Sequence, residues 1–130
     1  MKTGCQIYVK GSVEAVALYQ RAFGWTIGMN FKNEDGTYAH ASLMSRRREV
    51  LAVAEDAKAA SCPELQDGKW PRMTFNCWGL KSREAVDQAY RVLSEDALAT
   101  GNPGGPAPVP WNKYCFSLVD QFGVNWWVAI

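Results

Sequence analysis

The pentapeptide SVEAV at residues 12–16 returns as SREAV at residues 82–86, a little over half the chain later. Each copy follows a short β-prone run and opens a helical pattern. Serine is a favourable helix N-cap and glutamate suits the positive end of a helix, so we expect Ser12 and Ser82 to cap two helices. This repeat predicts that the chain consists of two homologous halves.

The segments around the repeat complete the same pattern in both halves. In the first half, a β-prone run at 5–9 precedes the helix, which we expect to end at Gly24. Strand signals follow at residues 25–32, 37–44 and 49–54, with Trp25, Ile27, Met29 and Phe31 expected on one face. In the second half, strands are expected at 73–78, 113–119 and 124–130, with at most one short strand in the Gly/Pro-rich stretch 99–110. Each half is therefore β-α-β-β-β.

Composition excludes several classes of function. The chain has 130 residues, 48% of them hydrophobic, and a net charge of +1, which is typical of one globular domain without a basic surface for nucleic acid. No apolar stretch approaches a membrane span, and the N-terminal residues lack the apolar run of a signal peptide, so we expect none. The four cysteines form no CxxC pair. We therefore expect reduced thiols, a cytoplasmic location, and neither nucleic acid nor membrane as a partner.

Three motifs resemble a known family. The segment AVALYQRAFG at 15–24 resembles the A-x-x-FY-x-x-x-FG helix end of the PhnB-like branch of the vicinal oxygen chelate superfamily, which includes glyoxalases and bleomycin resistance proteins. His40-Ala41 resembles the "HA" third strand of that branch. Trp111 followed by DQFGVNW at 120–126 resembles its "W…DPFGxxW" ending, with Gln121 where proline is usual. The resemblance covers essentially the whole chain.

The resemblance implies an α+β fold. Two βαβββ modules form a curved mixed sheet with a concave pocket, and the helices cover its outer face. Module 1 is expected at about residues 1–57, a linker at about 58–70 and module 2 at about 71–130, all within a single vicinal-oxygen-chelate domain.

Strand alternation within this fold predicts the residues that face the pocket. The candidate ligand-binding residues are Gln6, Tyr8, His40, Ser42, Arg72, Thr74, Asn76, Trp111, Asn125 and Trp127. Trp111 and Trp127 could form an aromatic wall for a flat ligand, or serve in packing and subunit contact. Arg72 could hold a carboxylate or phosphate, or form an internal salt bridge with Glu49 or Glu55.

Metal-dependent members of the superfamily use His, Glu or Gln at four concave positions. By resemblance these positions fall near Gly4, Ala52, Arg72 and Trp127, none of which is a ligand type. Shifted candidates, namely Gln6, His40 and Glu49, lack a fourth partner. We therefore expect no metal and no other cofactor.

Three functions remain open from the sequence. The first is a metal-independent protein that binds a partly aromatic or anionic small molecule. The second is a lyase or isomerase that uses His40 as base and Arg72 as electrophile, although His40 could equally be a structural histidine. The third is a protein-interaction module with a vestigial cavity. The tryptophan and tyrosine content and the resemblance also predict a homodimer.

Overall fold

A computed structural model describes residues 1–59 and 62–130 and divides the chain into two compact units, Met1–Ser61 and Cys62–Ile130. The predicted linker includes Ala60 and Ser61, which lie outside the described residues. The elements of the first unit are β1 (Gln6–Val9), α1 (Ser12–Phe23), β2 (Thr26–Lys32), β3 (Tyr38–Ser45) and β4 (Arg48–Glu55). Those of the second are α2 (Pro63–Gln66), β5 (Phe75–Cys77), α3 (Arg83–Leu93), β6 (Ala99–Thr100), β7 (Ala107–Val109), β8 (Asn112–Val119) and β9 (Asn125–Ala129).

The N-terminal unit is a four-stranded mixed sheet with one helix on its face. The strand order is β1-β4-β3-β2, with β1 parallel to β4 and the other pairs antiparallel. Helix α1 buries Val16, Leu18 and Tyr19, while Leu43 and Leu51 of the sheet are fully buried. The α+β class and the βαβββ order predicted from the sequence are confirmed in this unit.

The start of α1 differs from the expected serine cap. Gly11, in the left-handed conformation at φ 94°, is the N-cap, and no side chain caps the helix from that position. The Ser12 hydroxyl instead donates to Glu55 Oε1 at 2.8 Å and accepts from Tyr38 N at 2.9 Å. Glu55 also accepts from the backbone N–H groups of Gly11 and Ser12 at 3.0 and 2.8 Å. A carboxylate at the end of β4 thus replaces the predicted cap, because it satisfies the first free N–H groups of the helix.

These contacts make Glu55 a pH-dependent stabiliser. Partial burial raises the pKa of Glu55, but the hydrogen bonds from Ser12 and Gly11 outweigh that effect and hold the pKa below the ordinary value of a glutamate. Because the folded-state pKa is lowered, the stabilisation is complete above the unfolded-state pKa and is lost as pH falls through the folded-state pKa. Glu55→Gln is expected to lower the free energy of unfolding by about 1–2 kcal/mol at neutral pH. Urea denaturation at neutral pH and near pH 3 should show this difference shrinking in acid, and a constant difference would contradict the prediction.

The C-terminal unit has the order β5-β9-β8-β6, with β7 also pairing β8. The Ser82 hydroxyl accepts from Ala85 N at 3.1 Å, so the predicted cap of the second helix is confirmed. Trp126 is fully buried with Phe75 edge-on to it, and Tyr90 of α3 packs edge-on against Phe116. The stretch 99–110 contains two short strands, β6 and β7, rather than at most one, because β8 is long enough to pair with both. No helix in the described ranges has the length and apolar character needed to cross a membrane.

The predicted common face of β2 is wrong. Ile27 pairs with Leu43, whereas Phe31 pairs with His40, and these two partners lie on opposite faces of β3. An extra residue between Ile27 and Asn30 shifts the alternation. Trp25 precedes the strand and is buried, with its ring stacked on Phe23. Phe31 therefore lies on the face opposite to α1, beside His40.

Candidate functional site

Polar side chains converge on the face of the N-terminal sheet that α1 leaves uncovered. Leu43 of β3 pairs with Leu51 of β4, but Met44 pairs with Glu49, so Val50 is an extra residue in β4. This bulge places Glu49 on the same face as Ser42. With regular alternation, Glu49 would lie on the opposite face, together with Leu51. The sequence suggested Glu49 as a shifted metal candidate and as a salt-bridge partner of Arg72 but not as a ligand-binding residue, and the bulge explains its position on this face.

The cluster is connected by a continuous chain of hydrogen bonds. Gln6 Nε2 donates to Tyr8 Oη at 2.9 Å, and Gln6 Oε1 lies 2.9 Å from His40 Nδ1. His40 Nε2 lies 3.1 Å from Ser42 Oγ, which in turn donates a hydrogen bond to Glu49 Oε1. The structure therefore brings together four of the predicted residues, Gln6, Tyr8, His40 and Ser42, and adds Glu49. We call these five residues the polar cluster.

Two alanines form the floor beneath the polar cluster. Gln6 pairs with Ala52 and Tyr8 pairs with Ala54, and both alanines are buried. Strand β4 lies between β1 and β3, so Gln6 and His40 meet across a strand whose side chains at this point are only methyl groups. Because alanine projects so little, side chains from the two flanking strands can approach each other above it.

Two exposed aromatic rings lie at the edges of this face. Tyr8 on β1 is 61% exposed and Phe31 on β2 is 60% exposed. Phe31 is directly opposite His40, so the two side chains are on the same face. Phe31 was not among the predicted site residues, because only the shifted register of β2 places it there.

The second sheet carries another group of predicted residues. Asn125 is buried and donates from Nδ2 to Met73 O and to Thr74 Oγ1, both at 2.9 Å. Its Oδ1 atom is buried without a hydrogen-bond partner among the residues that the structure describes. Trp127 pairs with Asn76 of β5, so these two side chains share a face. Through these hydrogen bonds, Asn125 of β9 fixes Met73 and Thr74, the two residues that precede β5. Asn76 and the half-buried Trp127 remain partly accessible.

Two predicted residues lie elsewhere than the alternation suggested. Strand β5 begins only at Phe75, so Arg72 precedes it, in an exposed bend, and the adjacent Met73 is 85% exposed. Trp111 lies in the turn between β7 and β8 and is 75% exposed. Trp127 pairs with Ser117 of β8. Ser117 lies six residues after Trp111, which corresponds to about 20 Å along an extended strand. Trp111 and Trp127 therefore do not form one aromatic wall.

Comparison with solved structures identifies the fold. A PhnB protein from Bacillus cereus superposes with a TM-score of 0.74 at 20% sequence identity, covering 99% of this chain and 98% of that chain. A glyoxylase/bleomycin resistance protein/dioxygenase domain from Frankia superposes with a TM-score of 0.69 at 12% identity, covering 100% and 96% of the two chains. The fosfomycin resistance protein FosX from Listeria monocytogenes, solved with Mn(II), gives 0.63 at 9% identity over 99% and 90%. No family model and no curated protein matches the sequence.

The βαβββ unit and the related second unit, in which four strands follow the helix, define this chain as an α+β protein with a glyoxalase-type fold. It has the fold of the vicinal oxygen chelate superfamily, and the resemblance inferred from the sequence motifs is confirmed at the level of the fold.

The residues of the polar cluster do not fit the divalent metal found in some proteins of this fold. A metal ion needs several lone pairs directed at one point. Here the donor atoms are directed at each other: Gln6 Oε1 faces one His40 nitrogen, and Ser42 Oγ faces both the other nitrogen and Glu49. Among residues 1–59 and 62–130, no group of three or more His, Cys, Asp or Glu side chains could hold a metal ion.

Proposed function

We propose that this chain binds a small organic molecule on the open face of the N-terminal sheet, without a metal ion. The observation that carries the proposal is the hydrogen-bonded polar cluster, which lies above an alanine floor between two exposed aromatic rings. Binding sites for small molecules typically combine apolar or aromatic walls with a few well-placed polar groups. The rings of Tyr8 and Phe31 supply the apolar contact with the ligand, and the hydrogen-bonding groups of the polar cluster fix the ligand's orientation.

The chemistry of the face favours a partly aromatic ligand. Exposed aromatic rings are costly to leave in water, and a flat ligand would bury them. Glu49 is exposed and can accept a hydrogen bond from a ligand, and the Tyr8 hydroxyl can donate one. The anionic ligand expected from Arg72 has less support, because Arg72 lies outside strand β5.

The alternative enzyme with His40 as base and Arg72 as electrophile stays a prediction. His40 belongs to the N-terminal unit and Arg72 to the C-terminal unit. The face gives little support to the His40 half of this hypothesis, because both ring nitrogens are engaged in polar contacts and neither is free to take a proton from a substrate. The interaction module with a vestigial cavity is less favoured, because a vestigial site would not retain five linked polar side chains.

We also propose a homodimer in the cytoplasm. The exposed Met29 on β2, an edge strand of its sheet, offers apolar surface to a second copy. The four cysteines are free thiols, as expected of a reducing compartment. Burial raises the pKa of Cys77 to about 11, so this thiol is unreactive at neutral pH.

Native mass spectrometry of the protein as purified tests these proposals together. We expect a dimer that carries one small organic adduct per chain and no stoichiometric metal. Tyr8→Ala and Phe31→Ala should lose the adduct, because each removes one aromatic wall. Trp78→Ala is the matched control, since Trp78 is an aromatic residue of similar exposure but belongs to the C-terminal unit. A stoichiometric divalent metal, or an adduct that both wall variants retain, would overturn the proposed site, and a monomer would overturn the dimer.

A further inference from the structure

The two exposed rings of the open face lie in one row across the N-terminal sheet. Tyr8 of β1 pairs with Ala54 of β4, and Phe31 of β2 pairs with His40 of β3. Continuing the register of β3 and β4 by one residue places His40 opposite Ala54. We call these four residues the aromatic row. It runs from one edge strand of the sheet to the other and has an exposed ring at each end.

A carboxylate lies on the same face, to one side of the aromatic row. Ser42 follows His40 by two residues on β3, which is about 7 Å along a strand. The Ser42 hydroxyl donates to Glu49 Oε1. The other carboxylate oxygen, Oε2, lies near Gly4, where a Cβ atom would be 3.9 Å away. Glu49 is therefore exposed about 7 Å along the sheet from the aromatic row, and no side chain at Gly4 covers it.

The side chain of Met44 bounds the carboxylate on the β2 side. A Cβ atom on Gly28 would lie 2.8 Å from Met44 Cγ, 3.0 Å from Met44 Sδ and 3.6 Å from Ser42 Cβ. Met44 therefore fills the space above Gly28, on the same face as Ser42. Because Met44 also pairs with Glu49, the carboxylate has an apolar, polarisable thioether chain as its neighbour.

Glu49 lacks a counter-charge within the part of the chain that the structure describes. Its carboxylate accepts from Ser42, and no Lys or Arg side chain in residues 1–59 and 62–130 forms an ion pair with it. The ammonium of Lys32 lies 5.6 Å from the centre of the Tyr38 ring. Tyr38 precedes His40 by two residues, so this cation lies beyond the aromatic row, on the side away from Glu49. The carboxylate is thus open to a cation from outside the chain.

We propose that the ligand of this face is an arylalkyl amine, in which a short flexible chain joins an aromatic ring to a protonated amine. This inference rests on the proposed function, because it assumes that the ligand binds on this face. The ring lies over Ala54, where Tyr8 and Phe31 flank it, and the ammonium donates to Glu49 Oε2 beside Gly4. A chain of about four methylene groups spans the distance between the two ends. Glu49 is then the residue that determines specificity for a cation.

Three probes of the same shape but different charge test this ligand class. At pH 8, 4-phenylbutylamine is cationic, 4-phenylbutan-1-ol is neutral and 4-phenylbutanoate is anionic, while imidazole side chains are ordinarily neutral. Titrations of the intact protein followed by backbone amide NMR give both the affinity and the strands that respond. We expect the amine to bind about fivefold more tightly than the alcohol, and the carboxylate to bind most weakly. The largest shifts should fall in β1, β3 and β4.

Charge variants at position 49 show whether the carboxylate causes this preference. Glu49→Gln keeps the size of the side chain, so it should weaken amine binding about fivefold and leave alcohol binding within about twofold. Glu49→Lys should reverse the order, so that the carboxylate binds more tightly than the amine. Glu34→Gln, at an exposed position of the turn between β2 and β3, removes the same charge away from this site and is the matched control. Added salt should reduce the preference of the intact protein for the amine, because it screens exposed charges.

Equal affinity for the amine and the alcohol would overturn the inference and leave the proposed binding function intact. An amine preference that Glu49→Gln retains would do the same. Lack of binding by all three probes at millimolar concentration would also overturn the amine as the ligand class. A neutral or anionic co-purified adduct that Tyr8→Ala and Phe31→Ala lose would overturn it as well, while supporting the proposed function.

Discussion

Asp120→Ala is expected to lower the free energy of unfolding by about 3–5 kcal/mol, which is a large share of the 5–15 kcal/mol typical of such a domain. Asp120 is fully buried in the turn between β8 and β9. Its Oδ1 accepts from Phe122 N at 2.9 Å and from Val124 N at 3.0 Å, and its Oδ2 accepts from Trp126 Nε1 at 2.9 Å. Alanine would leave three donors without their acceptor, two of them in fully buried contacts.

Urea denaturation at neutral pH measures this effect, and two further variants show its origin. Asp120→Asn keeps the size of the side chain but retains only one acceptor oxygen, so we expect an intermediate loss of about 1–3 kcal/mol. Gln121→Pro is the control within the same turn. Gly123 N donates to Asp120 O at 3.0 Å, so residues 120–123 form a β-turn in which Gln121 is the second residue. Proline is favoured there, so the change should stay within about 1 kcal/mol. A loss below about 1 kcal/mol for Asp120→Ala would contradict this account.

The architecture could be predicted from the sequence because its signals are local and occur twice. The repeated SxEAV pattern, the glycine stop and the alternating strands each depend on neighbouring residues. Ser12 and Ser82 show the limit of such reasoning. Both stand at a helix start, but only Ser82 caps its helix. At the first helix, the carboxylate of Glu55, at the end of β4, accepts from the N–H groups of Gly11 and Ser12 instead. A long-range partner of this kind leaves no signal beside the helix.

The candidate site was predicted where strand alternation is regular and was incomplete where it is interrupted. Gln6, His40 and Ser42 follow simple alternation, and the structure joins them by hydrogen bonds. Glu49 depends on the extra residue Val50, and residues 50–54 (VLAVA) are apolar on both faces. A run without polar alternation does not show its register, so the bulge could not be located from the sequence.

Ala52→Leu is expected to lower ligand affinity by about a hundredfold, or about 2.7 kcal/mol, because it fills the floor of the proposed site. Ala52 pairs with Gln6 on one side and with Ser42 on the other. A leucine side chain would stand where Gln6 and His40 now meet, so it would separate these two residues and occupy the space above β4. The fraction of chains that carry the co-purified adduct in native mass spectra measures this loss.

Ala57→Leu is the matched control, because the same change at an exposed position after β4 adds equal volume away from the sheet. It should keep the adduct, whereas Ala52→Leu should lose it, since it breaks the contact between Gln6 and His40 Nδ1. Overpacking at Ala52 costs about 1–3 kcal/mol, so the variant should still fold and the loss can be assigned to the site. If Ala52→Leu retained the adduct, the ligand would have to bind elsewhere, and the C-terminal face with Asn76 and Trp127 would become the leading candidate.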